Sequence, residues 1–422
     1  MDTRRRRLLG AGAAGVLAGL AGCGNAGPVR PRSRVVVVGG GFGGATASKY
    51  LRLIDPSIEV VLVEPAPAFV SCPLSNLVLG GFRGMADITR PYDTLESRHG
   101  VRRVRDRATA IDVERRQVRL ARAEPIAYDR VIVAPGIDFM WEMLPAMRDA
   151  AVRERVPHAW TAGAQTLELR RRLEAMRDGG VFVIAIPEAP YRCPPAPYER
   201  ACEVAAYFRR AKPRSKILIA DANGDVTSKA ALFKRAWAEL YPGMIDYRPN
   251  SRAVDVDAAT GTVKLELEDV RGEVLNVLPP MKAGAVAAPF VTANGRWCDV
   301  DWLTYESIAA RGVHVLGDAL MPAPVMAKSG HMANAQAKTC AAAVAALLAG
   351  EAPNPAPTLT NTCYSFLSEN LAVHVATVHK YDTVERTMKP VPGAGGLSPA
   401  MNELEARYAW DWARNIWADA LA

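Results

Sequence analysis

The chain has 422 residues, of which 50% are hydrophobic and 23% are charged, and its formal net charge is +8. This length is too great for one ordinary hydrophobic core and the composition is that of a globular protein, so we expect two or three folded domains. No stripe of Lys and Arg with interleaved aromatic residues occurs, so the sequence does not indicate a nucleic-acid partner.

The N-terminus has the features of an export signal. Arg4–Arg7 form a basic start, and the small, apolar run Gly10–Ala21 follows, which resembles the twin-arginine signal of proteins exported already folded around a cofactor. Leu20–Cys23 is similar to a lipobox, so Cys23 is a candidate lipid anchor; the alternatives are a simple cleaved signal and a basic arm on a cytosolic protein. The sequence predicts export to the periplasm, with or without a membrane tether.

A glycine loop follows the first predicted strand. Val35–Val38 is a continuous apolar run, typical of a strand buried on both faces. Ala45–Ile54 is predicted as a helix and Ile58–Val63 as a second strand, which Glu64 closes. The free N–H groups at the helix start suit a pyrophosphate, and Glu64 suits the hydroxyls of an adenosine ribose. This βαβ unit predicts dinucleotide binding, and its loop carries the glycines Gly39, Gly41, Gly43 and Gly44.

Two later strands end in turns that suit the same cofactor. Tyr128–Val133 leads to Gly136, and Val313–Leu316 leads to Gly317-Asp318. The carboxylate of Asp318 lies at the carboxyl end of a strand, where it suits a ribityl hydroxyl. For each of these two turns taken singly, a plain turn without a cofactor role is the alternative. In this order after a βαβ unit, the strands predict a flavoprotein with two dinucleotide-binding folds.

The middle of the chain looks like a second dinucleotide unit without its binding loop. The strand that ends at Ile186 is followed by Pro187, Pro190, Pro194 and Pro195, where a second glycine loop would lie. Because proline has no N–H, this stretch does not form a second cradle for a pyrophosphate. We therefore expect that NADH and NADPH are not the electron partners.

Three of the seven cysteines have unusual surroundings. Cys193 is held by the prolines that follow it and lies close to Glu199, a candidate proton acceptor for a thiol or a hydrosulfide. Cys363 is its candidate partner, although the sequence does not show that the two meet. Cys72, after the second strand, is either a thioether link to the flavin 8α-methyl or a packed loop cysteine. No CxxC or CxxCH occurs, so neither a metal knuckle nor a haem attachment is predicted.

Together these motifs resemble the flavoprotein subunit of flavocytochrome c sulfide dehydrogenase. The resemblance covers nearly the whole chain after the export signal, and it includes the Gly317-Asp318 turn. The other similar segments are Val35–Tyr50, Phe69–Gly81, Tyr191–Ala201, Leu240–Gly243, Lys328–Gly330, Asn361–Ser365 and Arg414–Asp419. Ala196, where the family suggests a glycine, and His331, where it suggests an aromatic residue, depart from the pattern.

The resemblance implies a site chemistry. FAD is expected to be bound through a thioether of Cys72, with a redox-active disulfide of Cys193 and Cys363 facing the flavin and Glu199 as the acid/base. Hydrosulfide is expected to attack this disulfide and give a persulfide, and the electrons are expected to pass to a c-type cytochrome subunit. The alternatives are a related enzyme that passes electrons to a quinone or acts on another sulfur compound, and a non-catalytic FAD-holding partner.

The predicted fold class is α/β, with two Rossmann-like dinucleotide-binding domains of the disulfide-oxidoreductase flavoprotein type and a C-terminal interface domain. The aromatic residues of the tail, Tyr408, Trp410, Trp412 and Trp417, are predicted to form a packing face. The predicted boundaries are 1–30 for the export signal and linker, 31–150 for the first part of the FAD-binding domain, 151–284 for the degenerate NAD-type domain, 285–350 for the second part of the FAD-binding domain and 351–422 for the interface domain.

Overall fold

The computed structural model describes residues 33–422, so the predicted export signal and Cys23 lie outside the described residues. Within residues 33–422, no helix is both long and apolar enough to cross a bilayer. The α-helices of this part are α1 Phe42–Ile54, α2 Ser75–Leu79, α3 Asp93–Ser97, α4 Ala150–Arg155, α5 Ala164–Ala175, α6 Ala196–Ala211, α7 Ala230–Leu240, α8 Gly330–Ala349 and α9 Glu403–Leu421.

The strands of the same part form several sheets, of which three position the site. In chain order the strands are β1 Arg34–Val38, β2 Glu59–Val63, β3 Phe69–Val70, β4 Thr89–Arg90, β5 Arg102–Val104, β6 Ala108–Asp112, β7 Gln117–Leu120, β8 Ile126–Ala127, β9 Arg130–Val133, β10 Ile137–Phe139, β11 Val181–Ile186, β12 Lys216–Asp221, β13 Ile245–Arg248, β14 Ala253–Asp257, β15 Thr262–Leu265, β16 Asp269–Arg271, β17 Val274–Val277, β18 Met281–Ala283, β19 Val291–Ala293, β20 Trp297–Cys298, β21 Val313–Val315, β22 Thr358–Ser368, β23 Leu371–Asp382 and β24 Thr387–Leu397.

The first sheet is parallel and has the order β21-β9-β1-β2-β5. Its central strand β1 is a run of buried valines, because a parallel sheet covered by helices is apolar on both faces. Strand β21 comes from much later in the chain and pairs with β9, so the chain leaves this sheet and returns to it. Helix α8, which follows β21, packs against α1.

The start of α1 differs from the prediction. The helix begins at Phe42 rather than at Ala45, so Gly43 and Gly44 lie in its first turn and not in the loop. A Cβ atom added to Gly44 would lie 1.7 Å from the carbonyl oxygen of Gly39. The glycine is therefore required by the close approach of the helix to the strand end.

The second sheet is also parallel, with the order β13-β12-β11-β17. Helix α6 follows β11 and helix α7 follows β12, which repeats the strand–helix alternation of a dinucleotide-binding fold. The third sheet is antiparallel and has the order β22-β23-β24. Strand β22 contacts both α6 and α8, so the C-terminal part of the chain reaches the junction of the two parallel sheets.

Candidate active site

One cavity lies where these three parts meet, and it collects almost all of the predicted site residues. The ends of β1, β2, β9, β11 and β21 and the strand β22 contribute to its wall. Gly44 is the exception, since it packs behind the loop and does not line the cavity. The predicted residues that line it are Gly39, Gly41, Gly43, Glu64, Cys72, Gly136, Cys193, Glu199, Asp318 and Cys363.

The glycine loop forms a cradle without side chains at the start of α1. Gly39 has φ +97°, and a Cβ atom there would lie 2.3 Å from the carbonyl oxygen of Ala134. A Cβ atom on Gly41 would meet nothing within 4 Å, so this part of the loop faces open space. An open helix N-terminus without side chains fits the pyrophosphate of a dinucleotide.

Glu64 closes β2 beside this cradle. Its Oε2 accepts a hydrogen bond from Gly40 N at 2.6 Å, and its Oε1 accepts one from Ala66 N at 2.7 Å. The carboxylate is therefore held in the cavity wall in a fixed orientation, at the position where a dinucleotide-binding fold places the acid that binds ribose hydroxyls.

Asp318 follows β21, an edge strand of the same parallel sheet. Its carboxyl group is buried, and Oδ1 has no hydrogen-bond partner among residues 33–422. Burial raises the pKa of Asp318, and the charges of Arg192 and Lys328 oppose this shift. A buried acceptor without a donor on the cavity wall fits a ligand hydroxyl, such as those of a ribityl chain. The residues present therefore fit FAD.

Cys193 has a left-handed backbone conformation with φ +56°. Its N–H donates to the carbonyl oxygen of Lys328 at 2.8 Å, and its own carbonyl accepts from Ala196 N, the first residue of α6, at 3.0 Å. Burial raises the pKa of the thiol, with further increases from Cys363 and Glu199. A strained backbone held by these contacts fixes the position of the sulfur at the cavity wall.

Cys363 lies on β22 and faces the same cavity. Its Sγ is 3.4 Å from Nδ2 and 3.5 Å from Oδ1 of Asn361, whose Oδ1 also accepts from Ser329 Oγ at 2.6 Å. The structure thus brings Cys193 and Cys363 together, as free thiols. The disulfide between them stays a prediction.

Glu199 is buried at the start of α6, so it is not a solvated acid. Its Oε1 accepts from Phe366 N at 3.1 Å and its Oε2 from Asn76 Nδ2 at 3.3 Å. Burial raises the pKa of Glu199 to about 7, against the opposing effects of these hydrogen bonds and of Lys229 and Arg200. A carboxyl that titrates near neutral pH can both accept and return a proton.

Lys229 belongs to the site, although it is not among the residues predicted from the sequence. It is buried at the start of α7, has φ +57° and donates from Nζ to the carbonyl oxygen of Cys363 at 3.0 Å. Burial lowers its pKa, whereas Cys363, Glu199 and Cys193 raise it. The ammonium group therefore lies within electrostatic reach of both thiols. It follows no motif and comes from a different strand–helix junction, so no pattern in the sequence pointed to it.

Arg200, next to Glu199, was also missed. Burial lowers the pKa of its guanidinium to about 9, and Glu199, Cys193 and Cys72 oppose this shift. Arg200 and Glu199 share Asn76 as a partner, which fixes the acid relative to the cation. The acceptors of the guanidinium are Asn76 Oδ1 at 3.1 Å, Asn276 Oδ1 at 2.8 Å, His158 O at 2.9 Å and Ala159 O at 2.7 Å.

The aromatic tail contributes more than packing. Trp417 is buried as predicted, but the prediction is wrong for Tyr408, which is 49% exposed, and Trp412 lines the cavity with His331 and Tyr364. The ring centroid of Trp412 is 6.0 Å from that of His331 and 6.1 Å from that of Tyr364. These three rings form a wall between the cavity and an open basin on the surface of α9.

A glycine cradle, an unpartnered carboxylate and paired thiols on one cavity define a flavin-dependent protein of the disulfide-oxidoreductase class. Family models match along the chain in agreement with this. Residues 33–171 match the pyridine nucleotide-disulphide oxidoreductase model. Residues 166–279 match the central model of the sulfide dehydrogenase (flavocytochrome c) flavoprotein chain, and residues 355–421 match the flavin-binding model of flavocytochrome c sulphide dehydrogenase.

Individual proteins agree with the family models. The chain is 73% identical over 45 residues to the sulfide dehydrogenase (flavocytochrome c) flavoprotein chain of Chlorobaculum thiosulfatiphilum, a match that covers 11% of this chain and 94% of that sequence. The chain belongs to this family. The predicted family, the α/β fold class and the assignment to the flavin-dependent sulfide oxidoreductases are therefore confirmed.

More distant proteins share the fold. The mitochondrial sulfide:quinone oxidoreductase of Dictyostelium discoideum is 23% identical over 304 residues, and the match spans 68% of this chain and 65% of that protein. The crystal structure of the sulfide:quinone oxidoreductase from Aquifex aeolicus superposes with a TM-score of 0.76 at 17% identity, over 92% of this chain and 91% of the other.

Proposed function

We propose that this chain oxidises sulfide to sulfane sulfur in the periplasm, and that it passes the electrons to a c-type cytochrome subunit. The observation that carries the proposal is the placement of Cys193, Cys363 and Glu199 on one wall of a cavity that fits FAD. FAD, when bound, accepts electrons in pairs and releases them singly. The chain has no CxxCH motif, so the haem belongs to another chain.

The first step falls to the two cysteines. In the oxidised state they form a disulfide, and hydrosulfide attacks one of its sulfurs. The Sγ–Sγ bond breaks, a new S–S bond joins the substrate sulfur to one cysteine, and the other cysteine leaves as a thiolate. Lys229 stabilises this thiolate, because its ammonium lies in a dry interior where a nearby charge acts strongly.

Glu199 handles the proton of this step. In its ionised form it accepts the proton of the attacking hydrosulfide, and its pKa of about 7 suits this at neutral pH. Asn76 and the backbone N–H of Phe366 hold both carboxylate oxygens, so the group does not need to reorient before each turnover. Trp412, His331 and Tyr364 limit the access of water from the surface basin.

NADH and NADPH are not expected to reduce this flavin. The start of α6 is occupied by Cys193 and its prolines, and Pro195 and Pro197 carry no N–H for a second pyrophosphate. In addition, the N–H of Cys193 already donates to Lys328. The second parallel sheet therefore keeps the topology of a nucleotide-binding unit but supplies thiol chemistry instead.

The function is tested anaerobically on the purified coloured protein. Sulfide is expected to bleach the flavin absorbance within the mixing time, NADH is expected to leave it unchanged, and oxidised cytochrome c added afterwards is expected to be reduced. Bleaching with reduction of a short-chain quinone but not of cytochrome c would replace the proposed acceptor. No bleaching by sulfide would contradict the function and leave a different sulfur compound or a flavin-holding role.

The covalent link to the cofactor has a separate test. Cys72 lines the cavity, and its Sγ is 3.9 Å from the carbonyl oxygen of Trp160. We propose that this thiol forms the thioether to FAD, so flavin absorbance should stay with the polypeptide after denaturation. Cys72→Ser should release it. Free flavin from the denatured parent protein would show that the cofactor is held without a covalent bond.

Export is tested on the N-terminal segment, which lies outside the described residues. Replacing Arg4–Arg7 by lysines should retain the protein in the cytoplasm if the twin-arginine route is used. Cys23→Ala should abolish membrane association if this cysteine is lipidated. If the lysine variant reaches the periplasm as the parent protein does, export by the twin-arginine route is wrong. If Cys23→Ala associates with the membrane as the parent protein does, lipidation of Cys23 is wrong.

A further inference from the structure

Glu203 lies on α6, one helical turn beyond Glu199, and is a carboxyl group in the protein interior. Its relative exposure is 0%, and neither Oε1 nor Oε2 has a hydrogen-bond partner among residues 33–422. An unpartnered buried carboxyl destabilises a fold and requires an explanation. Residues four positions apart lie on the same face of a helix, so the two carboxyls are neighbours.

Beyond Glu203 lies a group of charges at the surface. The titratable and charged groups that interact with its carboxyl are Glu199 and Cys202 on the same helix, Arg210 at the end of that helix, Arg83 after α2, Tyr241 after α7 and Glu369 between β22 and β23. Arg83 Nη1 and Glu369 Oε1 form an ion pair at 3.8 Å, with side chains that are 35% and 51% exposed. Glu203 therefore lies between Glu199 on the cavity wall and a group that solvent reaches.

The chain leaves room for this carboxyl. A Cβ atom on Gly80, at the end of α2, would lie 2.6 Å from ring atoms of Phe82 and 3.0 Å from Oε2 of Glu203. A larger residue at this position would press on the carboxyl group from the side of α2. The glycine thus allows the close approach of both the Phe82 ring and a carboxyl oxygen of Glu203 that makes no hydrogen bond among residues 33–422.

The proposed reaction needs a route for a proton. Conversion of HS⁻ to sulfane sulfur releases two electrons and one proton, and the electrons leave through the cofactor to the acceptor. The proton stays on Glu199, which is only 7% exposed and whose oxygens are held by Phe366 and Asn76. A haem-bearing partner that covers the cavity would close the remaining opening.

We propose that Glu203 relays this proton from Glu199 to solvent at the Arg83–Glu369 pair. The inference rests on the proposed function. In each turnover Glu203 gives its carboxyl proton to solvent and takes the proton that Glu199 has accepted, so one O–H bond breaks and one forms at Glu203, and no electrons move. Burial raises the pKa of Glu203 well above its usual range, which keeps the relay protonated between turnovers.

The test compares Glu203→Gln, which has the same shape but no exchangeable acid, with Glu239→Gln on α7, whose carboxylate forms an exposed ion pair with Arg235. Cycles of reduction by sulfide and oxidation by cytochrome c are followed in H₂O and D₂O. Glu203→Gln should turn over about 100-fold more slowly, near the low end of what a positioned proton-transfer group contributes. It should also show a larger solvent isotope effect, and Glu203→Asp should recover part of the rate. Glu239→Gln should match the parent protein.

Two readouts do not depend on turnover. The resting protein should show an infrared carbonyl component of a protonated carboxylic acid that shifts in D₂O and is lost in the difference spectrum of Glu203→Gln, while components from Glu199 and Asp318 remain. Because burial raises the folded-state pKa of Glu203 above its unfolded value, the folded protein has its full stability below the unfolded pKa and loses stability as pH rises from the unfolded pKa to the folded pKa. The melting temperature of Glu203→Gln should therefore exceed that of the parent protein at alkaline pH, with no such gain in acid.

The outcomes separate the two proposals. If sulfide bleaches the parent flavin and Glu203→Gln turns over at the parental rate with the parental isotope effect, the relay is wrong and the proposed function stands. A variant that is slow but shows no change in isotope effect, or no recovery in Glu203→Asp, would also contradict the relay. If sulfide does not bleach the parent protein, the proposed function fails, and the relay fails with it.

Discussion

Two strand-to-helix junctions in this protein share a topology and differ in chemistry. At the first junction β1 leads into α1, and at the second β11 leads into α6; each strand lies inside a parallel sheet, and both junctions line the same cavity. The first carries glycines and the second carries prolines and a cysteine. The fold therefore decides where a site lies, and the side chains of the junction decide what the site does.

The backbone explains the difference. At the first junction the missing Cβ atoms of Gly39 and Gly44 allow α1 to approach the strand end closely, and its N–H groups face the cavity. At the second junction Cys193 also has a positive φ but retains a side chain, and its N–H donates a hydrogen bond to the carbonyl oxygen of Lys328. One junction presents backbone donors to a phosphate, and the other presents a sulfur and, through Glu199, an acid.

The largest effect is expected from removing either sulfur of the second junction. Cys193→Ser and Cys363→Ser should each slow bleaching by sulfide on the order of 10⁴-fold or more, because a covalent nucleophile has no substitute. Cys298→Ser is the matched control, since its buried Sγ lies outside the cavity lining and donates weakly to the carbonyl oxygen of Ala287 at 3.8 Å, a bond that a hydroxyl can replace. Stopped-flow absorbance gives the rates. Normal bleaching in Cys363→Ser would remove this cysteine from the mechanism.

Glu199→Gln should lower the bleaching rate by about 100- to 1000-fold, because the amide cannot accept the proton. In the parent protein the rate, expressed per concentration of hydrosulfide ion, should rise with pH through the pKa of about 7, since the ionised form of Glu199 is the base. This limb should disappear in the variant. An inflection near neutral pH that remains in Glu199→Gln would belong to another group. The second junction would then not supply the acid that distinguishes it from the first.

At the first junction two glycines should respond differently to the same change. Gly44→Ala places a Cβ atom 1.7 Å from Gly39 O, and the forced shift should destabilise folding by about 3 kcal/mol, the upper range for overpacking. Gly41→Ala meets nothing within 4 Å, so it should leave unfolding of the apoprotein unchanged and lower its FAD content. Urea unfolding and the flavin-to-protein absorbance ratio measure the two effects. Equal destabilisation by both variants would mean that the loop is not a cradle.

The smallest effect is expected at Lys229. Its charge lowers the pKa of Glu199, so Lys229→Met should move the pH profile of bleaching to higher pH and slow the reaction by about tenfold at neutral pH. Lys229→Arg keeps the charge and should keep the profile. If both variants behave alike, the residue holds the backbone of Cys363 rather than stabilising a charge.

Local patterns predicted the elements around the cavity well. The predicted strand Val35–Val38 falls within β1, and Ile58–Val63 differs from β2 by one residue. Apolar runs, turn glycines and prolines act over a few residues, so they can be recognised without the rest of the chain. The misplaced start of α1 has a different origin: Gly44 looks like part of a loop until its contact with Gly39 is known.

The amino-acid sequence by itself determined the two strand–helix units, the glycine cradle with Glu64 and the setting of Cys193 beside Glu199, because each depends on neighbours in the chain. Only the tertiary structure decided that Cys363 on β22 meets Cys193, that Lys229 lies beside both sulfurs, and that Glu203 is buried without a partner. These features arise from the packing of α6 against the C-terminal sheet, over separations in the chain at which local patterns carry no information, and burial there is what shifts the pKa values on which the proposed chemistry depends.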